Sequence, residues 1–531
     1  MEDTPEVRNG SKRRKSEVVM VSDLVVGESG RPPMARSNST FSAADLETAL
    51  AKAGCGKFNL ALLVLTFPAS CTSSFDTSSM SFAMPAASVD LDLTLSQGAL
   101  LQSSCYAGMI IGGFIWGPLS DAFGRKKLLV IGYLVDALMN FLAGAFPIFP
   151  LMMLFKFLAG LMICGLSPIF TAYIAEIYPK KGRDTVILST GFSSATGQVL
   201  QASLAMWIIP IEVPSEIPFK SWQLFQMASA LPSLISGIGC LFFVESPKFL
   251  ADKGNHEGAL KVCQTIYTIN TGNRSSAYPV KRLNNTSRTT DYENKSKLSK
   301  LLEGLDILKP PFVQRAVVLF SINILAVGSF STLRLWLPEM LTFVSKSTLD
   351  PNLGLCPLLE EGNSMRGNLS STNLHSRDVF STMMLVNSGC LIGHIVLLCT
   401  FSCIGIKAMQ IICSLMAATC ALIIPFISAS YVFIVVSVFF TLYDMCITCI
   451  IKMVVEIFPT RIRATSISFL MLTSRMGILP LNFLMANFIY IYCEYLFYGL
   501  SLFGLVIAGL ILIISKKPIE DDHQTSPIKG K

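Results

Sequence analysis

The chain has 531 residues, of which 52% are hydrophobic and only 15% charged, with a mean hydropathy of +0.56. Soluble domains carry about 25% charged residues, so this composition excludes an ordinary water-soluble fold and points to a polytopic membrane protein. The net charge of +7 gathers in tails and short loops, where it reads as topology and lipid contact and makes no case for nucleic-acid binding.

Residues 1–57 are polar and Ser-rich, carry Lys12-Arg13-Arg14-Lys15, and lack an apolar core of signal-peptide type. A disordered cytoplasmic tail is expected, its basic cluster touching anionic lipid ahead of a nuclear-import reading. A short amphipathic piece over 42–51 precedes the first apolar run. At roughly 20 residues per span, the apolar runs amount to about a dozen helices. Helix 1 is expected over 58–85 with Pro68 and Pro85 in it; Asp90 and Asp92 follow with no cation nearby, so that loop faces out. Helix 2 (97–116) and helix 3 (128–147) flank a basic turn, and Phe146 to Pro150 leads straight into helix 4 (151–176). Lys180, Lys181 and Arg183 mark the inside, helix 5 spans 185–210, Glu212 and Glu216 lie outside, and helix 6 spans 222–244. Residues 246–314 form a polar cytoplasmic central loop. Helix 7 (315–343), an external loop over 344–377, and helices 8 (378–404), 9 (407–430) and 10 (431–456) follow. Arg461 and Arg463 mark the inside again, before helices 11 (464–489) and 12 (491–515) and a cytoplasmic C-tail over 516–531. The expected architecture is all-α: an N-terminal six-helix bundle (58–245), a C-terminal one (315–515), and both termini cytoplasmic.

The turn between helices 2 and 3 is the most distinctive stretch. Gly108, Gly112 and Gly113 let membrane helices approach closely. Gly117-Pro-Leu-Ser-Asp121-Ala-Phe-Gly124-Arg125-Lys126-Lys127 then separates two apolar runs, too short for a domain and basic enough for the cytoplasm. A second signal is internal. Glu176-Ile-Tyr-Pro179 with Arg183 and Thr185, after helix 4, matches Glu456-Ile-Phe-Pro459 with Arg463 and Thr465, after helix 10. At the same offset Ser194 meets Ser474 and Gly197 meets Gly477. Two parallel six-helix halves explain both the match and its place in the chain. Glu245-Ser-Pro-Lys248 follows helix 6, and Leu335-Trp-Leu-Pro-Glu339 ends helix 7.

The spacing Gly117, Leu119, Asp121, Gly124, Arg125, Lys126, Lys127 resembles the helix 2–3 loop of the major facilitator superfamily. The two Glu…Pro…Arg segments resemble its sugar-porter branch, as does Glu245 to Lys248, where Val244 replaces a proline. The end of helix 7 and the extended loop after it resemble the synaptic vesicle glycoprotein 2 family and its insect relatives. The resemblance covers about 50–515. It departs at the helix 8–9 turn, Phe401 to Met409, whose one cation is Lys407, and in an external loop much shorter than the vesicle glycoproteins' luminal domain. It implies the major facilitator fold, a pathway lined by helices 1, 4, 7 and 10, and acid–base pairs that latch the halves in an outward-facing state. The gate set is Gly117, Asp121, Gly124, Arg125, Lys126, Glu176, Arg183, Glu245, Glu456 and Arg463. An acid and a base on neighbouring helix ends bond more strongly in a partly dry interface than in water. Helix capping with positive-inside topology is the simpler reading of the same residues.

Charges at bilayer depth are costly and usually face a cavity or a partner. Nine occur: Asp76, Asp136, Lys156, Arg334, Glu339, His394, Asp444, Lys452 and Arg475. Glu339 lies near an outer end and Lys452 is one turn from Glu456. The pathway candidates are Asp76, Asp136, Lys156, Gln198, Arg334, Asp444 and Arg475, with Gln201 beside them; Asp136 and Arg475 also read as structural ion pairs. Asp76, Arg334 and Asp444 are expected to face one water-filled cavity between the halves, with Asp444 first for solute or proton contact.

Two functions compete. One is a secondary active or facilitative transporter of a small polar or charged organic solute by alternating access, with a proton or ion as a possible companion. The other is a non-transporting vesicle or membrane scaffold or trafficking protein on the same fold. No enzyme is expected: no nucleophile, acid–base pair or phosphate-binding Gly loop stands out. No cofactor or metal is expected either. The four histidines and 15 cysteines show no ligand spacing, most cysteines lie in apolar segments, and a disulfide scaffold is not anticipated. The expected partners are the solute and the bilayer, without nucleic acid, around a monomer in the plasma membrane or an intracellular vesicle membrane. Asn368 heads the sequon of the long external loop and is expected to be glycosylated; Asn273, Asn284, Asn285 and Asn294 lie inside and stay bare.

Overall fold

The computed structural model describes residues 44–214, 216–283, 310, 312–345, 352–364, 377–400, 404–458 and 460–514. Lys12 to Lys15, Asn284, Asn285, Asn294, Asn368 and the tail over 516–531 lie outside the described residues, as do the side chains of Asp121, His394, Arg461 and Arg463. Among the described residues the architecture is helical, with isolated bridges and no β-strand. The long helices are helix 1 (Lys57–Asp90), 2 (Leu95–Phe123), 3 (Arg125–Ala145), 4 (Phe149–Ile177), 5 (Lys180–Ile208), 6 (Ser221–Ala228 and Leu231–Leu241), 7 (Phe312–Val344), 8 (Arg377–Thr400), 9 (Ile406–Ile423), 10 (Ala429–Ile457), 11 (Thr460–Phe488) and 12 (Cys493–Ile513).

Among the described residues ten of these are long and apolar enough to cross a membrane, and helix 5 is too polar to count with them. Helix 5 is rich in hydroxyls, which return hydrogen bonds to carbonyls three or four residues back: Ser189 to Val186, Ser193 to Ser189, Thr196 to Phe192 and Ser203 to Val199. Its polarity is thus absorbed within the helix, which packs on helices 1 and 8. Helix 1 continues past Pro85 to Asp90, where Lys220 and Trp222 tie it to the start of helix 6 at 2.6 and 2.7 Å. Helix 6 is the one span expected, Ser221–Leu241, but its helical ladder is interrupted by a turn at Ser229 and Ala230. Pro232 has no N–H to offer the carbonyl of Ala228, and the first piece ends there.

Close packing of helices 2 and 4 rests on glycine. A Cβ at Gly112 would stand 2.6 Å from the Leu161 carbonyl oxygen, and one at Gly108 would strike that of Phe157. The two halves meet through helix 2 against 11, 5 against 8, and 1 against 7. The turns after helices 2 and 4 carry the cations and define a basic face; the opposite ends define a far face.

Each face carries smaller helices. On the basic face, Leu46–Ala53, Pro247–Asp252 and His256–Thr271 pack around the start of helix 1. Asn270 accepts from Phe58 N at 3.0 Å and donates to Gly54 O at 2.9 Å, while the Tyr278 hydroxyl donates to Ala49 O at 2.5 Å. On the far face, Leu355–Ser364 packs on helix 7, and a Cys356–Cys493 disulfide, Cα to Cα 5.6 Å, joins it to helix 12. That corrects the expectation of apolar, unpaired cysteines for this pair. Both sit at helix starts on the far face, beyond the apolar interior that buries most of the others.

Candidate functional site

The most charged part of the interior lies wholly within the N-terminal half. Asp76 of helix 1, Asp136 of helix 3 and Lys156 of helix 4 are 2%, 0% and 1% exposed. Asn140, one turn beyond Asp136, holds them together. Its amide nitrogen donates to Asp76 Oδ1 at 2.7 Å and to the Asp136 carbonyl at 3.1 Å, with Asp136 Oδ1 at 3.4 Å. Lys156 Nζ donates to the Asn140 amide oxygen and to Ser79 Oγ, both at 2.8 Å. Ser233 of helix 6 donates to Asp136 Oδ2 at 2.5 Å, and Asp76 Oδ2 is buried without a hydrogen-bond partner. Fully ionised, two carboxylates and one ammonium carry a net −1 in a dry interior, which is costly to bury.

Asp76 therefore turns into the N-terminal bundle, away from Arg334 and Asp444, and does not share a cavity with them as expected. The polar side of helix 1 meets Asn140 and Lys156 first. Lys156, one of the pathway candidates, sits at the centre of the network, and Asp136 is its second acid. Asn140, Ser79 and Ser233 were missed; being uncharged, they give no signal at bilayer depth.

The basic-face residues pair within the same half. Gly124 has φ +95°, and a Cβ there would lie 2.6 Å from Glu245 Oε2. That turn lets Glu245 accept from the Arg125 and Lys126 backbone N–H groups at 2.9 and 3.0 Å, capping helix 3 at its positive end. Glu176 pairs with Arg125, Nε to Oε2 3.3 Å, and accepts from Ser246 Oγ at 2.5 Å. Arg183 does not meet Glu176; it bonds Glu47 of the short N-terminal helix at 2.8 Å and the Tyr178 carbonyl at 3.2 Å. Gly117 stands in open space, and Glu456 is exposed.

The half interface is hydrogen-bonded toward the far face. Asn482 of helix 11 donates to Ser103 Oγ and the Ala99 carbonyl of helix 2 at 2.7 and 3.0 Å, and accepts from Trp336 of helix 7 at 2.6 Å. Ser96 donates to Asn487 at 3.1 Å, and Asn387 of helix 8 to the Gln198 carbonyl at 3.4 Å. Gln201 donates to Phe75 O at 3.0 Å within the N-terminal half. Nearer the middle, Arg475 Nε points at Met109 Sδ of helix 2, 3.2 Å away, and the Arg334 guanidinium lies 5.9 Å from the Phe330 ring. On the basic-face side, helices 1, 4 and 5 enclose a cavity of about 170 Å³ lined by the hydroxyls of Ser70, Ser73, Ser167, Thr171, Thr190 and Ser194. A larger apolar hollow of about 1130 Å³ between helices 1, 5 and 6, lined by Val64, Trp207 and Phe242 among others, holds none of these charges.

Comparison with known proteins agrees with this geometry. Residues 66–350 match the family described as the Major Facilitator Superfamily. The chain is 29% identical to synaptic vesicle glycoprotein 2B of Rattus norvegicus over 229 residues, 42% of this chain and 34% of that protein. It is also 29% identical to synaptic vesicle glycoprotein 2C of Rattus norvegicus over 240 residues, 44% and 33%. The chain thus spans about a third of the length of the curated relatives it matches. Among solved structures it resembles the xylose transporter XylE from E. coli in a partially occluded inward-open conformation, with TM-score 0.61, 16% identity, and 86% and 99% of the two chains covered. A D-xylose-proton symporter aligns at TM-score 0.62, 15% identity, 87% and 100%; the nucleoside transporter NupG aligns at 0.55, 13%, 86% and 98%. These structures are named as transporters, not enzymes. A family match over more than half of the chain, on a fold whose bundles repeat the same Glu…Pro…Arg turn, means that this chain belongs to the Major Facilitator Superfamily.

Proposed function

We propose that the protein is a monomeric secondary transporter that carries a small polar or charged organic solute between its two halves and moves a proton with it. The observation that carries this reading is the buried Asp76–Asn140–Asp136–Lys156 network. A net −1 there is relieved by one proton, so the network has a reason to load and unload a proton as its surroundings change. The hydrogen-bonded far side and the hydroxyl-lined cavity on the basic-face side suit a state open toward the basic face. The basic turns support a cytoplasmic basic face. The Cys356–Cys493 disulfide supports a far face in an oxidising compartment, extracellular or luminal. In this reading Arg125 with Glu176, and Glu245 capping the start of helix 3, hold the N-terminal basic face together as a gate component, and Asp444 remains a solute-contact candidate. Likeness to a D-xylose-proton symporter fits proton coupling.

The test is uptake by purified protein in liposomes against a solute panel, with and without an inward pH gradient. At least one solute should accumulate faster with the gradient, and Asp76→Asn should lose that stimulation while inserting normally. A scaffold role is the second reading, favoured by likeness to synaptic vesicle glycoproteins and by a helix 8–9 turn with Lys407 alone. Silence across the panel from folded protein would select it.

A further inference from the structure

Helix 2 forms a wall between two charged centres, one of them the Asp76–Asp136–Lys156 network of the N-terminal half. The other lies across the half interface. Counted at 1.5 Å per residue from the far-face helix ends, Arg334, Tyr106 and Arg475 lie about 15, 17 and 20 Å deep, on helices 7, 2 and 11. They share one level near mid-membrane. Arg475 reaches helix 2 at Met109, one turn from Tyr106, with its Nη1 on the Met471 carbonyl at 2.6 Å. Tyr106 feels the charge of both arginines. Arg334 also feels Asp444, which counters one of the two positive charges. One positive charge remains in excess.

Two buried groups here are left without hydrogen bonds. Arg334 Nη2 has no partner, and neither end of the Gln102 amide has one, although Gln102 is 3% exposed and sits one turn from Tyr106. A buried guanidinium nitrogen and amide without partners are expensive unless something arrives to use them. What they offer is donors, guanidinium N–H and amide N–H, beside the Tyr106 phenol, which is itself hydrogen-bonded to Thr77 of helix 1. That set fits a carboxylate, which accepts at two oxygens and matches the guanidinium fork. Phe330 beside Arg334 supplies an apolar flank.

We infer that Arg334 and Arg475, with Tyr106 and Gln102 across the half interface, form a recognition site for the carboxylate of a small organic anion. The inference rests on the transporter reading and names its substrate class, an anion with one carboxylate. Because both halves contribute, the site exists only when the halves are together, as alternating access requires of a solute site.

The experiment titrates purified full-length protein in detergent with benzoate and follows thermal unfolding. Benzamide and benzylamine, of the same shape but neutral and cationic, are the comparisons. Benzoate should raise the melting temperature to a plateau, and the other two should not. Arg334→Gln and Arg475→Gln should each weaken the benzoate response by about tenfold or more, the effect of losing one charge-assisted bond. Arg334→Lys, which keeps the charge and loses the fork, should fall between. If a variant does not fold, phenylglyoxal labelling of the wild type decides: benzoate should slow modification of Arg334 and Arg475. No benzoate response, an equal response to benzamide or benzylamine, or unprotected arginines overturns the site. Uptake of radiolabelled benzoate into liposomes separates the two readings. Arginine-dependent binding without uptake keeps the anion site and removes the transporter. Uptake unchanged in both Gln variants removes the site and keeps the transporter.

Discussion

Replacing Asn140 with leucine, nearly the same volume, removes the hub of the N-terminal network and leaves its charges in place. Three bonds to ionisable groups are lost: two short ones, to Asp76 at 2.7 Å and from Lys156 at 2.8 Å, and a long one to Asp136 Oδ1 at 3.4 Å that adds little. Hydrogen bonds to charged groups contribute roughly 1.5–3 kcal/mol each, so an unrelaxed interior would lose about 3–6 kcal/mol. Lys156 keeps Ser79 at 2.8 Å and Asp136 keeps Ser233 at 2.5 Å. With those anchors in place the side chains can relax and about half of the loss is offset, leaving an expected destabilisation of about 1.5–3 kcal/mol. The assay is denaturant unfolding in detergent, followed by fluorescence, with Asn140→Gln as a control that keeps the amide. The Leu variant should unfold at clearly lower denaturant and the Gln variant should lie between it and wild type. A Leu variant within about 0.5 kcal/mol of wild type, the ordinary surface-substitution range, would refute the idea that Asn140 organises these charges.

Two further outcomes are expected. Cys356→Ser, Cys493→Ser and the double variant should lose the same stability, about 2–4 kcal/mol, because one link between segments 137 residues apart is broken in each. Reductant should bring the wild type to their unfolding midpoint; a wild type indifferent to reductant would remove the link. Enzymatic deglycosylation should shift wild-type mobility but not that of Asn368→Gln, and a glycan found on Asn284 would reverse the assignment of faces.

The fold was largely legible because membrane spans are written in composition and the halves are written twice. Apolar runs located the helices, and Glu176–Arg183 against Glu456–Arg463 showed the repeat. Helix 5 was legible as a span over 185–210 despite its low hydropathy, and local hydroxyl bonds absorb its polarity. One feature of the helices escaped. The break in helix 6 hung on Pro232, which reads as ordinary punctuation in a chain with 26 prolines. For the site, charge at depth drew attention to Asp76, Asp136, Lys156, Arg334, Asp444 and Arg475, and the structure buries the first three together in the N-terminal half. Charge alone could not say which of them meet. Helical rise gives depth, but rotation about each axis decides whether Asp76 faces Asn140 or the half interface. Neutral partners such as Asn140 and Gln102 carry no cost signal in sequence, yet they are where the structure concentrates its polar geometry. The Cys356–Cys493 link joins segments far apart in sequence, and spacing alone does not pair them.

The two charged centres have opposite imbalances, and that is their physical interest. Asp76, Asp136 and Lys156 sum to −1; Arg334, Arg475 and Asp444 sum to +1. Cys105 of helix 2 lies within the fields of Lys156, both N-terminal carboxylates and Arg475, so the centres are close enough to influence each other. While the N-terminal centre is unprotonated, its charge partly offsets the arginines and weakens their pull on an external anion. Adding one proton removes that offset. At an effective dielectric constant near 20, unit charges about 10–15 Å apart interact by about 1–2 kcal/mol, which is several-fold to about tenfold in anion affinity. Linkage makes the effect reciprocal: a bound anion favours the proton by the same factor. A proton and a carboxylate bound together restore neutrality on both sides of helix 2, and a neutral pair of centres is the cheapest charge state for a reorienting bundle interface. Coupling of the two ligands then needs no mechanical relay between the sites, only the low-dielectric wall that helix 2 already provides.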